Sequence, residues 1–141
     1  MVIRPVCVAL HGSGATSNAG HESMKIMHAG LIVAELERSA SFYEGILGLK
    51  RIERPDLGFD GLWYGLDGGQ QIHLMLLDNP YAGCDKSEHG GRDNHLAMQV
   101  DNFTEIEGRL SAAGVTYTLS RSGRQALFCR DPDGNTIELT A

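Results

Sequence analysis

The sequence is poor in cysteine, in aromatic residues and in basic charge, and each shortage removes a class of function. Three cysteines, Cys7, Cys84 and Cys129, are odd in number and show no C-x-x-C spacing. That excludes a disulfide framework and a thiolate zinc knuckle, and it fits a reducing cytoplasm. Lys and Arg number 12 against 18 Asp and Glu, a formal charge of −6 with no basic run of five. Such a balance repels phosphate backbones and anionic lipid, so neither nucleic acid nor membrane is an expected partner. Mainly apolar stretches such as residues 72–77 have strand length, far short of a bilayer span, and no basic n-region followed by an apolar h-region opens the chain. What remains is 141 residues, 42% apolar and 21% charged, enough for one ordinary globular domain.

Residues 11–21 are small, polar and Gly/Ser-rich without a strand or helix period, so residues 1–24 read as a flexible leader. The folded part, 25–141, repeats itself. His28-Ala-Gly-Leu-Ile-Val aligns with His95-Leu-Ala-Met-Gln-Val at an offset of 67. Each segment alternates as a strand and precedes an amphipathic helix, carried by Leu36, Ala40, Tyr43 and Leu47 and then by Phe103, Ile106, Leu110 and Ala113. Asn102 with Glu105 predicts an N-cap, and Gly48 and Gly114 predict left-handed helix ends. Three short strands follow each helix, near 49–53, 60–67 and 70–77, then near 115–120, 124–130 and 134–140. The last of each set aligns at offset 65, placing His73 over Glu138. The expected fold is α+β: two tandem β-α-β-β-β modules, 25–77 and 93–141, joined by a linker over 78–92. They are expected to form a curved eight-stranded mixed sheet, a cup with its helices on the convex face.

Period-two alternation indicates what lines the cup. Leu31 and Val33 point away from His28, Met98 and Val100 from His95, Ile72 and Leu74 from His73, and Ile137 and Leu139 from Glu138. Three imidazoles and one carboxylate are thus expected on the concave side. Such a set suits Ni, Zn, Co, Mn or Fe(II) and leaves coordination positions open, as a catalytic metal requires.

Three motifs carry a family resemblance: His28-x-x-Leu-x-Val, Phe42-Tyr-x-x-x-Leu-Gly-Leu49 and Asp131-Pro-Asp-Gly-Asn-x-x-Glu138. In these the chain resembles the vicinal oxygen chelate superfamily of glyoxalase I, bleomycin-resistance proteins and extradiol dioxygenases. The resemblance implies one divalent metal ion on His28, His73, His95 and Glu138, holding a small substrate through adjacent oxygens. In the glyoxalase branch a metal-bound carboxylate abstracts a proton beside a carbonyl. Glu138, the only carboxylate of the four, is the corresponding base, and the reaction is a lyase or isomerase step. Two alternatives follow from the same resemblance. An Fe(II) extradiol-type dioxygenase would use His28, His95 and Glu138, though His73 crowds that site and Phe128 stands where those enzymes carry a Tyr. A metal-free drug- or metabolite-binding protein of bleomycin-resistance type would have no need of the four ligands.

Arg121 and Arg124 are candidates to clamp an anionic substrate, as is Arg92. Trp63 and Tyr64 are candidates for the pocket wall, one facing in and one out. Residues 78–94 serve as a linker or a lid, residues 131–134 form a hairpin turn, and Cys129 is inert. A homodimer is expected, because closed two-fold assemblies dominate small proteins.

Overall fold

The computed structural model describes Gly20 and residues 22–141, so most of the expected leader lies outside the described residues. The eight expected strands are all present. β1 (His28–Val33), β2 (Lys50–Ile52), β3 (Gly61–Gly65) and β4 (Gln71–Leu76) belong to the first module. β5 (His95–Gln99), β6 (Tyr117–Leu119), β7 (Ala126–Arg130) and β8 (Thr136–Thr140) belong to the second. They form two open four-stranded mixed sheets, ordered β1-β4-β3-β2 and β5-β8-β7-β6. In each, the first and last strands run parallel and the others antiparallel. The connection between the parallel pair carries the helix, as a crossover must. The α+β class and duplicated module order are as the repeat implied, with the eight strands hydrogen-bonded as two sheets of four.

The helices depart in detail from their sequence patterns. α1 (Leu36–Ala40) runs into a π-helical stretch, Ser41–Ile46, where the Leu47 N–H donates to the Phe42 carbonyl at 3.0 Å. The wider turn brings adjacent Phe42 and Tyr43 both into the core, which a strict 3.6-residue stripe does not do. In α2 (Phe103–Ala112), Phe103, Ile106 and Leu110 are buried, but Ala113 is the exposed C-cap and takes no part in the stripe. Asn102 occupies the N-cap without a side-chain cap bond; its amide lies 3.5 Å from the Glu105 carboxylate. Gly48 (φ 77°) and Gly114 (φ 68°) end the helices in the left-handed region, where a side chain would be strained.

Alternation sorts the sheets as expected. Val33, Leu62, Tyr64, Ile72 and Leu74 of the first sheet share one core with Met98, Leu127, Cys129, Ile137 and Leu139 of the second and with the helical residues. Full burial of each large side chain contributes about 1.5–3 kcal/mol. A polar clasp joins the modules beside this core, at the turn 131–135. The Tyr43 hydroxyl donates to Asp131 Oδ2 at 2.7 Å, and Asp133 Oδ1 accepts from the Ala34 N–H at 3.0 Å and from Arg38 at 3.1 Å. Asn135 Nδ2 reaches the Ile32 carbonyl at 3.1 Å. The turn therefore fixes how β1 and α1 sit against the second module. Among the described residues, no helix is long and apolar enough to cross a membrane.

Candidate active site

The faces turned away from the core carry the expected ligands. On the first sheet, β1 places His28 and β4 places His73, with Trp63 of β3 and Gly30 of β1 as cross-strand neighbours of His73. Gly30 projects no side chain, so the His28 ring can lie against His73, their centroids 4.2 Å apart. Trp63 stacks on His73 at 3.8 Å with planes 4° apart. His73 Nε2 donates to Gln71 Oε1 at 2.7 Å, which leaves Nδ1 with its lone pair. Burial first, then the neighbouring His28 and Arg54, lowers the His73 pKa and favours the neutral imidazole that a metal requires.

The second sheet presents the equivalent half. β5 supplies His95, β8 supplies Glu138, and Phe128 of β7 lies directly across from Glu138, matching Trp63 across from His73. Phe128 packs edge-on to His95, centroids 5.3 Å apart. His95 Nδ1 lies 2.8 Å from the Asp93 carbonyl, which only accepts, so Nδ1 carries the hydrogen. The other ring nitrogen, Nε2, faces Glu138 Oε2 at 3.1 Å, and the Glu138 side chain is only 7% exposed. The two facing atoms are held together by sharing either a proton, as an ion pair, or a metal ion, and imidazole nitrogen and carboxylate oxygen are both donors that a divalent metal takes.

The Asp93 backbone that orients His95 is itself anchored. Arg130 Nη1 donates to Asp93 Oδ2 at 2.6 Å and bonds Thr136 Oγ1, and Nη2 donates to the Ser87 carbonyl at 2.6 Å. Hydrogen bonding from Arg130 holds the Asp93 carboxyl below its ordinary range. His89 adds a further tie, Nε2 donating to the Leu119 carbonyl at 3.1 Å. The 78–94 connection is thus tied to the second module along its second half. Sequence reasoning missed Arg130 and Gln71, yet the signal was available. Arg130 has the parity of Phe128 and Gln71 that of His73, and the same alternation that sorted the ligands places both on the ligand faces.

The four expected ligands stand as two pairs, His28 with His73 and His95 with Glu138. Among the described residues, no three His, Cys, Asp or Glu side chains are grouped to hold a metal. Of the expected pocket walls, Trp63 is on the ligand face. Tyr64 is not: the β alternation turns it into the core, fully buried, where its hydroxyl donates to Glu44 Oε1 at 3.0 Å. Arg121 and Arg124 line a cavity of about 390 Å³ with Arg92, His95, Phe128 and Glu138. Arg124 Nη2 lies 3.4 Å from Glu138 Oε1. Cys129 is buried and its thiol is pushed up to about 12, as suits a core residue.

A sequence model of the Glyoxalase/Bleomycin resistance protein/Dioxygenase superfamily matches residues 25–139. The lactoylglutathione lyase of Haemophilus influenzae is 31% identical over 123 residues, 82% of this chain and 90% of that protein. Glyoxylase I 4 of Arabidopsis thaliana is 31% identical over 118 residues, 79% of this chain and 67% of that protein. Among solved structures, the fosfomycin resistance protein FosX of Listeria monocytogenes superposes with a TM-score of 0.65 at 22% identity, covering 85% of this chain and 92% of its own. Lactoylglutathione lyase from Agrobacterium tumefaciens superposes at 0.58 with 19% identity, covering 84% and 93%. The structural likenesses speak for the fold alone.

Proposed function

Because the chain belongs to the Glyoxalase/Bleomycin resistance protein/Dioxygenase superfamily, we propose that it is a divalent-metal-dependent enzyme of glyoxalase type, with lyase or isomerase chemistry on a small substrate held through adjacent oxygens. The observation that carries this reading is the His95–Glu138 pair, an imidazole nitrogen 3.1 Å from a nearly buried carboxylate. That arrangement suits a shared metal ion, with a shared proton in its place when no metal is bound.

His28, His73, His95 and Glu138 would hold the ion. When bound it supplies Lewis acidity toward the substrate's oxygens. The other steps belong to the chain. The Asp93 carbonyl fixes the His95 tautomer, and Gln71 holds the His73 ring in place through its hydrogen bond to Nε2. Trp63 and Phe128 wall the two halves and exclude water. Glu138 takes the proton from the carbon beside a carbonyl: the C–H bond breaks, an O–H bond forms on the carboxylate, and the electron pair moves to the carbonyl oxygen. Glu138 then returns the proton to the former carbonyl carbon as the electron pair closes a new C=O bond at the carbon that lost it, and the proton of that carbon's hydroxyl passes to the oxygen of the former carbonyl, so atoms and electrons balance within the substrate.

Since each sheet carries only half of the ligand set, the full set belongs to a homodimer in which His28 and His73 of one copy meet His95 and Glu138 of another. The deciding experiment is elemental analysis of protein purified without chelators, followed by titration with Ni, Zn, Mn and Fe(II). Turnover of the methylglyoxal–glutathione hemithioacetal is measured on the same samples. The expected result is stoichiometric metal and metal-dependent isomerisation, both lost in His95→Ala. Failure to bind any of these metals would sink the reading, as would oxygen uptake with a catechol in place of isomerisation.

A further inference from the structure

We infer that the cavity beside His95 and Glu138 is a subsite for an anionic group, a carboxylate or phosphate, of the substrate whose oxygens meet the metal. The inference rests on the reading of His95 and Glu138 as ligands. Its own basis is the charge around the cavity.

Three of the chain's 12 basic residues, Arg92, Arg121 and Arg124, line this one space of about 390 Å³, in a protein whose formal charge is −6. Glu138 is the only acidic residue there. Among the described residues, neither Arg92 nor Arg121 makes a salt bridge, and Arg124 has only the 3.4 Å contact with Glu138. Arg92, Arg121 and Arg124 are exposed, and Glu88 lines the adjoining cavity beside Arg92 and Arg121, but once Glu138 is committed to a cation no other acidic residue lines this space, so an anion entering it is attracted by all three.

The fold does not impose this arrangement, as the duplicated module shows. The corresponding connection of the first copy, residues 53–60, carries Glu53, Asp56 and Asp60 with a single Arg54. Arg54 is already used, donating to the Phe59 carbonyl at 2.7 Å and lying over the Phe59 ring. In the second copy the loop reads Ser120-Arg-Ser-Gly-Arg124 and is preorganised. Ser122 Oγ lies 2.8 Å from Ser120 Oγ and accepts from Arg124 Nε at 3.2 Å. Arg124 is thereby held with its Nη2 toward the site, and the serine hydroxyls add neutral donors.

The test uses the full chain loaded with its best-binding metal, with metal content measured on every sample. Isothermal titration compares dihydroxyacetone phosphate and 2-oxoglutarate with neutral dihydroxyacetone. Both anions are expected to bind at least about 30-fold tighter than dihydroxyacetone. Arg121→Ala and Arg92→Ala should each weaken the anions about 10-fold and leave dihydroxyacetone unchanged, with Arg121→Lys restoring part of the loss. Preference for the phosphate or the carboxylate arm names the group. Equal binding of anion and neutral analogue in metal-loaded protein overturns the subsite while leaving the metal reading intact. Arg-dependent binding of inorganic phosphate to a protein that takes up no metal upholds the anion site and discards the enzyme reading.

Discussion

At the scale of single residues, Glu138 separates catalysis from stability. Its carboxylate is nearly buried beside His95 Nε2, so the metal-free fold bears the desolvation cost of a buried charge there. Glu138→Gln replaces an acceptor by an amide N–H that can donate to His95 Nε2. Turnover is expected to fall about 10³-fold, within the range for a lost general base. The metal-free variant should nevertheless be at least as stable as the parent in urea. A parallel loss of stability and activity would mean that Glu138 is only a structural residue. Tyr43 makes the opposite case, because its hydroxyl is one of four donors to the buried Asp131 carboxylate, with the Asp133 N–H, the Asn135 N–H and Asn135 Nδ2. Tyr43→Phe should cost about 1–2 kcal/mol in urea unfolding with the ligand pairs untouched.

Asp131 also sets a sign for pH dependence. Burial raises its pKa above the ordinary 3.8, outweighing the donors that oppose the shift. The folded chain then holds that proton more tightly than the unfolded chain. Stability from this group is present at low pH and is lost as pH rises through the elevated folded value. Urea midpoints from about pH 4 to about pH 7 should therefore fall for the parent relative to Asp131→Asn. A difference that grows in the parent's favour with rising pH would refute the assignment.

At the scale of elements, the second half of the 78–94 connection acts through Arg130. Its guanidinium joins Ser87, Asp93 and Thr136, and Asp93 in turn fixes the His95 ring. Arg130→Ala should weaken metal binding about 10–100-fold, as loss of a group that orients a ligand does, while far-UV circular dichroism stays unchanged. Arg130→Lys should recover only part, since an ammonium cannot make the same fork of bonds. Unaltered metal affinity would show that the network serves the loop alone. These elements also show how far the sequence was legible. Strand parity put His28, His73, His95 and Glu138 on the correct faces, because the period of two is a property of the backbone. It also separates Trp63 from Tyr64, leaving Tyr64 in the core. The π-helical stretch escaped because no residue period announces an i→i−5 bond, while Asn102 takes the expected N-cap position with its side chain near Glu105 and no side-chain cap bond. The anchoring of His95 was hidden for another reason: the acceptor is a backbone carbonyl, which has no letter in the sequence.

At the scale of the whole molecule, the two half-sets make a prediction that neither module could make alone. If the ligands assemble between copies, a chain lacking His28 and His73 and a chain lacking His95 and Glu138 are each inactive as homodimers, since every site lacks half of its ligands. Co-refolding the two restores one intact site in the mixed dimer. The other site of that dimer contains all four substitutions. Random pairing gives mixed dimers as half of the population, each with one of its two sites intact. Activity should therefore recover to about one quarter of the parent level per chain, as the combinatorics of a two-fold assembly require. One bound metal per mixed dimer should accompany it. Recovery near zero, with dimers shown to have exchanged, would place all four ligands within one chain and demand that the two modules move against each other at the Tyr43–Asp131 clasp. Tyr43→Phe would then loosen that movement and raise metal uptake, whereas a site built between copies leaves uptake in that variant unchanged.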